Sequence, residues 1–360
     1  MKIKHLIQMA SILALSTIGA QNSHTANFDT DAWEIQAKNS EFKEYKGKRA
    51  LFLDRGIARL KNAAFEEGIV EYDISFEEKR NFAGIHFHIK DSLNYEEFYL
   101  RPHQSGNPDA MQYTPVINGN AAWQLYTGEG YWSAMDFSFG EWMHVKLVVS
   151  GEKMDVFIEN MEKPILHVYN LKLGRLSGGF GFGTFLGAAY YANLTYQKIE
   201  NPETIGKPDS EIKVEPNSIL DWQVSKAFSE VELLGLVSLE ELNVPIEKQL
   251  KTDPMGILNL SQISKVSDDT NTILAKFTLD ADKNLLKKMD FGYSDKVVVF
   301  VNGKPIYSGN NSFRTRDYRY LGSIGFFDSV YLNLQKGKNE IVFAVTERMG
   351  GWGVVAKVSD

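Results

Sequence analysis

The stretch Gly68–Pro102, "GIVEYDISFEEKRNFAGIHFHIKDSLNYEEFYLRP", decides how this chain is read. Apolar and polar residues alternate through it in three runs, and short polar turns separate them. Val70, Tyr72, Ile74 and Phe76 share one parity, while Glu71, Asp73, Ser75 and Glu77 share the other. Ile85, Phe87 and Ile89 oppose His86, His88 and Lys90. Phe98 and Leu100 oppose Glu97, Tyr99, Arg101 and His103. A period of two is the mark of a strand with one face on a core and the other turned away from it.

The loops "EKRN" and "DSLN" suggest two successive hairpins. In that register residue 77 faces 82 and residue 90 faces 95. Two polar rows follow on one outer face, Asp73–His86–Tyr99 and Glu71–His88–Glu97. Such a face invites several chemistries. A carboxylate beside an imidazole favours its protonated form. Two carboxylates about 5–5.5 Å or 6.5–9.5 Å apart support retaining or inverting glycoside hydrolysis, which makes Glu71, Asp73 and Glu97 the candidate catalytic groups. Arg101 and Tyr99 can grip hydroxyls and stack on a sugar face. His86 and His88 without a third ligand define no metal site. An outer face is also polar in ordinary sheets, where cross-strand acid–histidine pairs contribute about 0.2–1 kcal/mol.

Working outward, the same alternation recurs from about Phe28 to Lys198, as in "EWMHVKLVVS", "KMDVFIEN" and "ANLTYQKI". The loop-like "SGNPDAMQYTPVINGNAAWQLYTGEGYW" adds Gln112, Gln124 and Tyr126, side chains suited to a neutral polyhydroxylated ligand. Thus His86, His88, Tyr99, Arg101, His103, Gln112, Gln124 and Tyr126 are the candidate ligand-binding residues. The alternative is that Trp123 and Leu125 are core and the rest closes a hairpin.

Residues 199–216 include three prolines and no apolar rhythm, so they read as a linker. Further β runs follow over 217–360. Asn302–Gly303 between apolar runs signals a tight hairpin, because a primed turn needs positive φ at both central residues. "EELNVPIEKQL" holds the most helix-like pattern, interrupted by Pro245. The expectation is an all-β chain of two β-sandwich (jelly-roll) domains, 28–198 and 217–360, joined by a short linker, with little helix.

The 360 residues suit two domains, and 43% hydrophobic with 12% aromatic content permits a sizeable core. A net charge of −7 without a long basic run argues against a nucleic-acid partner. The absence of cysteine excludes a disulfide framework, a thiolate zinc site, a cysteine nucleophile and a lipid anchor on cysteine. Residues 1–20 read as a signal peptide, with Lys2 and Lys4 ahead of an apolar run ending at Ile18 and small residues Gly19 and Ala20. The chain is therefore expected to be secreted or periplasmic, with no later membrane span. No elbow, phosphate loop, dinucleotide fingerprint or H-E-x-x-H motif appears. No cofactor is expected, and a structural calcium is left open.

"FGEWMHVKLVVSGEKMDVFIEN" and "GGFGFGTFLGAAYYANLTYQ", with the opening stretch, resemble concanavalin A-like and laminin-G-like jelly rolls, including secreted modules related to 3-keto-disaccharide hydrolases. The resemblance covers about 28–198. It implies the sandwich fold and a carbohydrate ligand, a polysaccharide or oligosaccharide. Family 16 glycoside hydrolases carry E-x-D-x-E or E-x-D-x-x-E on one strand. "EYDISFE" is one residue longer, so nucleophile and helper map to Glu71 and Asp73 while the acid/base maps to no residue. "DKVVVFVNGKPIYSG", "YLNLQKGKNEIVFAVTE" and "GGWGVVAKV" resemble galactose-binding-like β-sandwiches. The expected function is carbohydrate recognition on the polar concave face of the first domain. The alternatives are a glycoside hydrolase using the same face and a secreted protein–protein assembly module.

Overall fold

The structure is a computed structural model that describes residues 23–208 and 213–359. The expected leader at 1–20 lies outside the described residues, as do positions 209–212 of the expected linker. The regular structure of the described chain is antiparallel strands with a few 3-10 turns. No helix among the described residues is long and apolar enough to cross a membrane.

Ten strands organise the first half: β1 (Trp33–Tyr45), β2 (Lys48–Leu60), β3 (Gly68–Ser75), β4 (Phe82–Ile89), β5 (Tyr95–Leu100), β6 (Met111–Ile117), β7 (Met143–Ser150), β8 (Lys153–Ile158), β9 (Leu166–Val168) and β10 (Gly179–Lys198). The long strand β10 makes the sandwich. Its residues 179–185 pair with β4, and its residues 190–198 pair with β3. Between them the chain bends. The register with β2 shifts between Thr184 and Ala188, Leu186 takes φ 70°, and Arg55 on β2 takes φ 50°. One layer therefore carries β4, β5 and β6, and the other carries β3, β7, β8 and β9. The inward parity of each run meets between them. Tyr72 of β3 packs on Phe182 of β10 at 5.4 Å, and Phe182 stacks on Tyr191 at 4.2 Å.

This corrects the expected pairing. β3 and β4 are not hairpin neighbours, because β10 bonds to both and the segment after Phe76 crosses from one layer to the other. Asn81 anchors that crossing at the bend, donating from Nδ2 to the Ala188 carbonyl at 3.0 Å. The rows Asp73–His86–Tyr99 and Glu71–His88–Glu97 are therefore absent. β4 does pair with β5, but His86 faces Glu97 and Gly84 faces Tyr99. Two one-residue changes produce this: the turn closes early, with the Lys90 amide on the Asn94 carbonyl at 3.0 Å, and a bulge follows at His88, which takes φ 50° where the register with β10 slips between Gly179 and Gly181.

In the second half, a six-stranded sheet and a four-stranded sheet enclose Trp222, Phe277, Phe291, Phe343 and Trp352. Asn302 (φ 49°) and Gly303 (φ 80°) form the expected tight turn, with Val301 opposite Lys304. "EELNVPIEKQL" becomes a 3-10 turn, Leu239–Glu241, and a strand, Ile246–Lys251. Trp352 is fully buried and donates to the Val345 carbonyl at 2.9 Å, so it is an anchor and not a rim aromatic. The charges of "FRTRDYRYLG" pair locally, Arg316 with Asp328 and Arg319 with Asp317.

The halves meet along the segment 118–131. Gln124 is fully buried there and every polar group it carries is used. Its amide N–H donates to the Gly350 carbonyl at 2.7 Å, and its carbonyl accepts from Ile324 at 2.9 Å. Its Nε2 donates to the Leu321 carbonyl at 2.7 Å, and Ser294 Oγ donates to its Oε1 at 3.0 Å. Asn118, Tyr131 and Lys172 add bonds to Ser261, Met255 and Asp253. Gln124→Ala strands a buried acceptor and a buried hydroxyl at once. It is expected to lower stability by about 2–3 kcal/mol, read as a fall in urea midpoint at unchanged slope.

Candidate functional site

The outward parity of the β4–β5–β6 layer forms two rows of cross-strand neighbours, largely buried and termed the trough. One row runs Glu34, Arg59, Gly181, His86, Glu97, Thr114, each opposite the next on adjacent strands. The next row runs Ile57, Gly183, Gly84, Tyr99, Gln112. Gly181 lies on the first row and Gly183 and Gly84 on the second, and at each a Cβ would meet a neighbouring atom within 2.8 Å, so these positions take no side chain. The His86 ring fills the space over Gly183, where a Cβ would lie 2.5 Å from His86 Nε2.

Within the trough His86 Nε2 sits 3.3 Å from Glu97 Oε1, and Tyr95 stacks on the imidazole at 4.5 Å. Glu97 keeps 21% of its side chain exposed while His86 keeps 4%. Three buried polar atoms on the first row, Arg59 Nε, His86 Nδ1 and Thr114 Oγ1, have no protein partner. Such groups are uncommon in folded proteins, since each unpaired one costs about 1–3 kcal/mol. Beside Arg59 lies a cavity of 290 Å³ lined by Glu34, Lys61, Asn62, Ile89 and Gly179.

A buried network supports one wall. Tyr99 OH donates to Gln112 Oε1 at 2.9 Å, and Arg101 donates to that same oxygen, to Tyr99 OH at 2.9 Å and to Asp109 Oδ2 at 3.2 Å. Gln112 Nε2 donates to the carbonyls of Trp123 and Tyr126 at 2.9 and 2.6 Å. Burial raises the Tyr99 phenol to about 12, so it stays protonated and can donate.

The expected ligand residues thus separate. His86 and Tyr99 lie on the trough rows, and Arg101 and Gln112 brace its wall. His88 is buried against Phe65, with Nε2 2.8 Å from the Glu66 carbonyl, and burial holds its imidazole below the usual range. His103 packs edge-on against Phe82 at 5.2 Å, in the 3-10 turn after β5. Burial, then Arg80 and Arg101, lower its pKa. Gln124 is committed to the seam. Tyr126 is buried at that seam, 3.4 Å from Asn259 Nδ2. Arg59 and Tyr95 join the trough without having been expected. Their parity was readable, but nothing in the sequence places β2 two strands from β4.

The three candidate carboxylates do not meet at one place. Glu97 is in the trough, whereas Glu71 and Asp73 lie on β3 in the other layer. Asp73 is held by His144 Nδ1 at 2.7 Å, Lys48 Nζ at 2.7 Å and Asn193 Nδ2 at 2.6 Å. Burial alone would raise its carboxyl, but these three partners outweigh it and hold the pKa below the ordinary value. The Asp73 hydrogen bond in turn raises His144. Glu71 reaches the same imidazole, with Oε1 3.8 Å from His144 Nε2, so Glu71 and Asp73 stay together around His144 while Glu97 stands apart in the other layer. Among the described residues there is no cluster of three or more histidine, aspartate or glutamate side chains that could hold a metal ion.

No family model and no curated protein matches the chain. Among solved structures, it is similar to a carbohydrate-binding module, CBM66, from Bacillus subtilis, at 14% identity over 46% of this chain and 95% of that one, with a TM-score of 0.36. It is also similar to a Bacillus licheniformis β-glucanase, at 9% identity over 51% and 100% of the two chains, TM-score 0.36. A laminarinase from Flavobacterium sp. UMI-01 is similar at 10% identity over 48% and 96%, TM-score 0.35.

Proposed function

We propose that the chain is a carbohydrate-recognition protein that binds a saccharide in the trough between Arg59, His86, Glu97 and Tyr95. The observation that supports this reading is the single row on which Arg59 Nε, His86 Nδ1 and Thr114 Oγ1 all lack a protein partner, with Gly181 between Arg59 and His86. Donors of differing geometry beside the carboxylates of Glu97 and Glu34 suit a ligand that both donates and accepts, as hydroxyls do. The Tyr95 ring and Ile57 offer apolar surface next to them, the mixture typical of small-ligand sites. Recognition is favoured over hydrolysis because Glu71 and Asp73 lie in the other layer, and the two carboxylates of the trough row, Glu97 and Glu34, are separated by His86, Gly181 and Arg59. In this reading the protein is exported and the second half, bonded through Gln124, serves as an accessory module.

A glycan array on residues 23–360 finds the ligand, and calorimetric titration then ranks variants. Arg59→Ala and Glu97→Gln are each expected to weaken binding at least about tenfold, the loss of one hydrogen bond to a charged group. Retention of full affinity in both variants excludes the trough.

A further inference from the structure

The outer face of the opposite layer carries aromatic rings that the core does not use. Phe52 contacts Tyr190 at 5.1 Å, Tyr190 stacks on Tyr45 at 3.6 Å, and Tyr45 meets the edge of Trp142 at 5.6 Å. All four are half-buried, and none belongs to the sandwich core or packs against it. A connected set of outward rings is more than a sheet surface requires. Where Tyr45, Phe52 and Tyr190 meet the bend of β10, they wall a cavity of 360 Å³ closed by Phe76 and Leu186. That volume lies within the roughly 300–1,000 Å³ of small-ligand pockets.

The polar rim of this pocket is charged. Glu77, Lys79 and Arg80 line it and all three are exposed, beside the buried Asn81. Lys79 and Arg80 form no ion pair among the described residues, whereas Lys46 and Lys48 nearby are spent on Glu141 and Asp73. Lys43 adds a third cation, 5.0 Å from the Phe52 ring and 5.7 Å from the Tyr190 ring, with Glu41 as its partner. The pocket thus joins flat apolar walls to a rim on which Lys79 and Arg80 outnumber Glu77, the Lys43–Glu41 pair beside it being neutral in sum.

We propose that this pocket is a second ligand site, separate from the trough, and that it takes an acidic saccharide. Its ring carbons lie against Tyr45, Phe52 and Tyr190, and its carboxylate or sulfate meets Lys79 and Arg80. The choice of a saccharide over another flat anion rests on the reading of the trough, whereas the anion itself rests on the rim. The site sits on the outer face of one layer and the trough on that of the other, so one protein can bridge two glycan chains.

The test titrates a short oligogalacturonate, and separately its methyl ester, into the wild-type chain and the Tyr190→Ala, Arg80→Glu and Arg59→Ala variants. Tyr190→Ala and Arg80→Glu are expected to weaken the oligogalacturonate at least about tenfold, and Arg59→Ala to leave it unchanged. Wild-type affinity for the ester is expected to be lower by a similar factor. Arg80 is exposed, so its charge reversal reads out binding without disturbing the core. Unchanged affinity in Arg80→Glu and Tyr190→Ala overturns the second site. Equal binding of acid and ester overturns the assignment of an anion. Loss in Arg59→Ala alone moves the probe to the trough and leaves that reading standing while this one fails.

Discussion

Glu347→Gln is expected to make the protein more stable at pH 8–9 and to flatten its dependence on pH. Glu347 and Asp295 are buried together at the seam, 1% and 2% exposed. Glu347 Oε1 accepts from the Gly351 amide at 3.2 Å, and Asp295 Oδ2 accepts from the amides of Arg348 and Met349 at 3.1 and 3.4 Å. The other oxygen of each has no hydrogen-bond partner. Burial, reinforced by the charge of Asp295, pushes the Glu347 carboxyl up to about 8. Burial likewise raises Asp295, against the pull of the Arg348 and Met349 amides and the charge of Lys296.

The sign follows from proton binding. Between the ordinary glutamate pKa and about pH 8 the native chain keeps a proton that the unfolded chain releases, so stability falls as pH rises through that window. Above it the full penalty of a buried, ionised carboxylate applies. Glutamine keeps the shape and never ionises. Its stability minus that of the wild type should therefore climb from near zero at pH 4.5 and be largest at pH 9. Glu96 acts in the same sense, because burial raises it to about 7 against the Leu173 amide and Tyr113 hydroxyl. Using the difference between variant and wild type cancels its contribution. Urea melts at five pH values measure the curve, and a flat difference refutes the buried pair.

Arg101→Met is expected to cost about 3–5 kcal/mol, the penalty for breaking a buried charge network from one side. Methionine fills much of the volume but leaves Asp109, Tyr99 and Gln112 without the guanidinium that joins them. It also removes the cation lying 5.2 Å from the Tyr99 ring. Arg101→Lys keeps the charge without the planar fork, so it should fall between the two. Gln112 ties the loop carbonyls of Trp123 and Tyr126 to the same network, so the methionine variant should also loosen that loop. Faster amide exchange at residues 123–126, with a lowered urea midpoint, is the expected pair of readings. A cost under about 1 kcal/mol contradicts a buried network.

The sequence showed which residues face inward and which outward, and hid which strands are neighbours. Alternation placed Val70, Tyr72, Ile85 and Phe98 in the core, because a period of two is local. Pairing is not local. The short link after Phe76 looked like a hairpin turn, yet it crosses between layers because β10, a hundred residues on, fits between β3 and β4. His88 shows a second limit. A bulge breaks the alternation at one residue, and no residue type there announces it. Asn302–Gly303 was legible because its backbone conformation has a compositional cost that few residues avoid. Gln124 and Tyr126 looked like ligand contacts because buried seams and binding loops draw on the same amides and aromatics. Arg59 became a site residue only once β2 was seen beside β10.

The central claim is tested most directly by NMR of the His86 imidazole during titration with the saccharide selected on the array. His86→Gln assigns the ring signals among the seven histidines of the chain. Occupancy of the trough predicts a saturable shift of the His86 ring nitrogens that tracks the calorimetric affinity, with His144 and His167 unmoved. A saccharide that binds while the His86 signals stay in place contradicts the account.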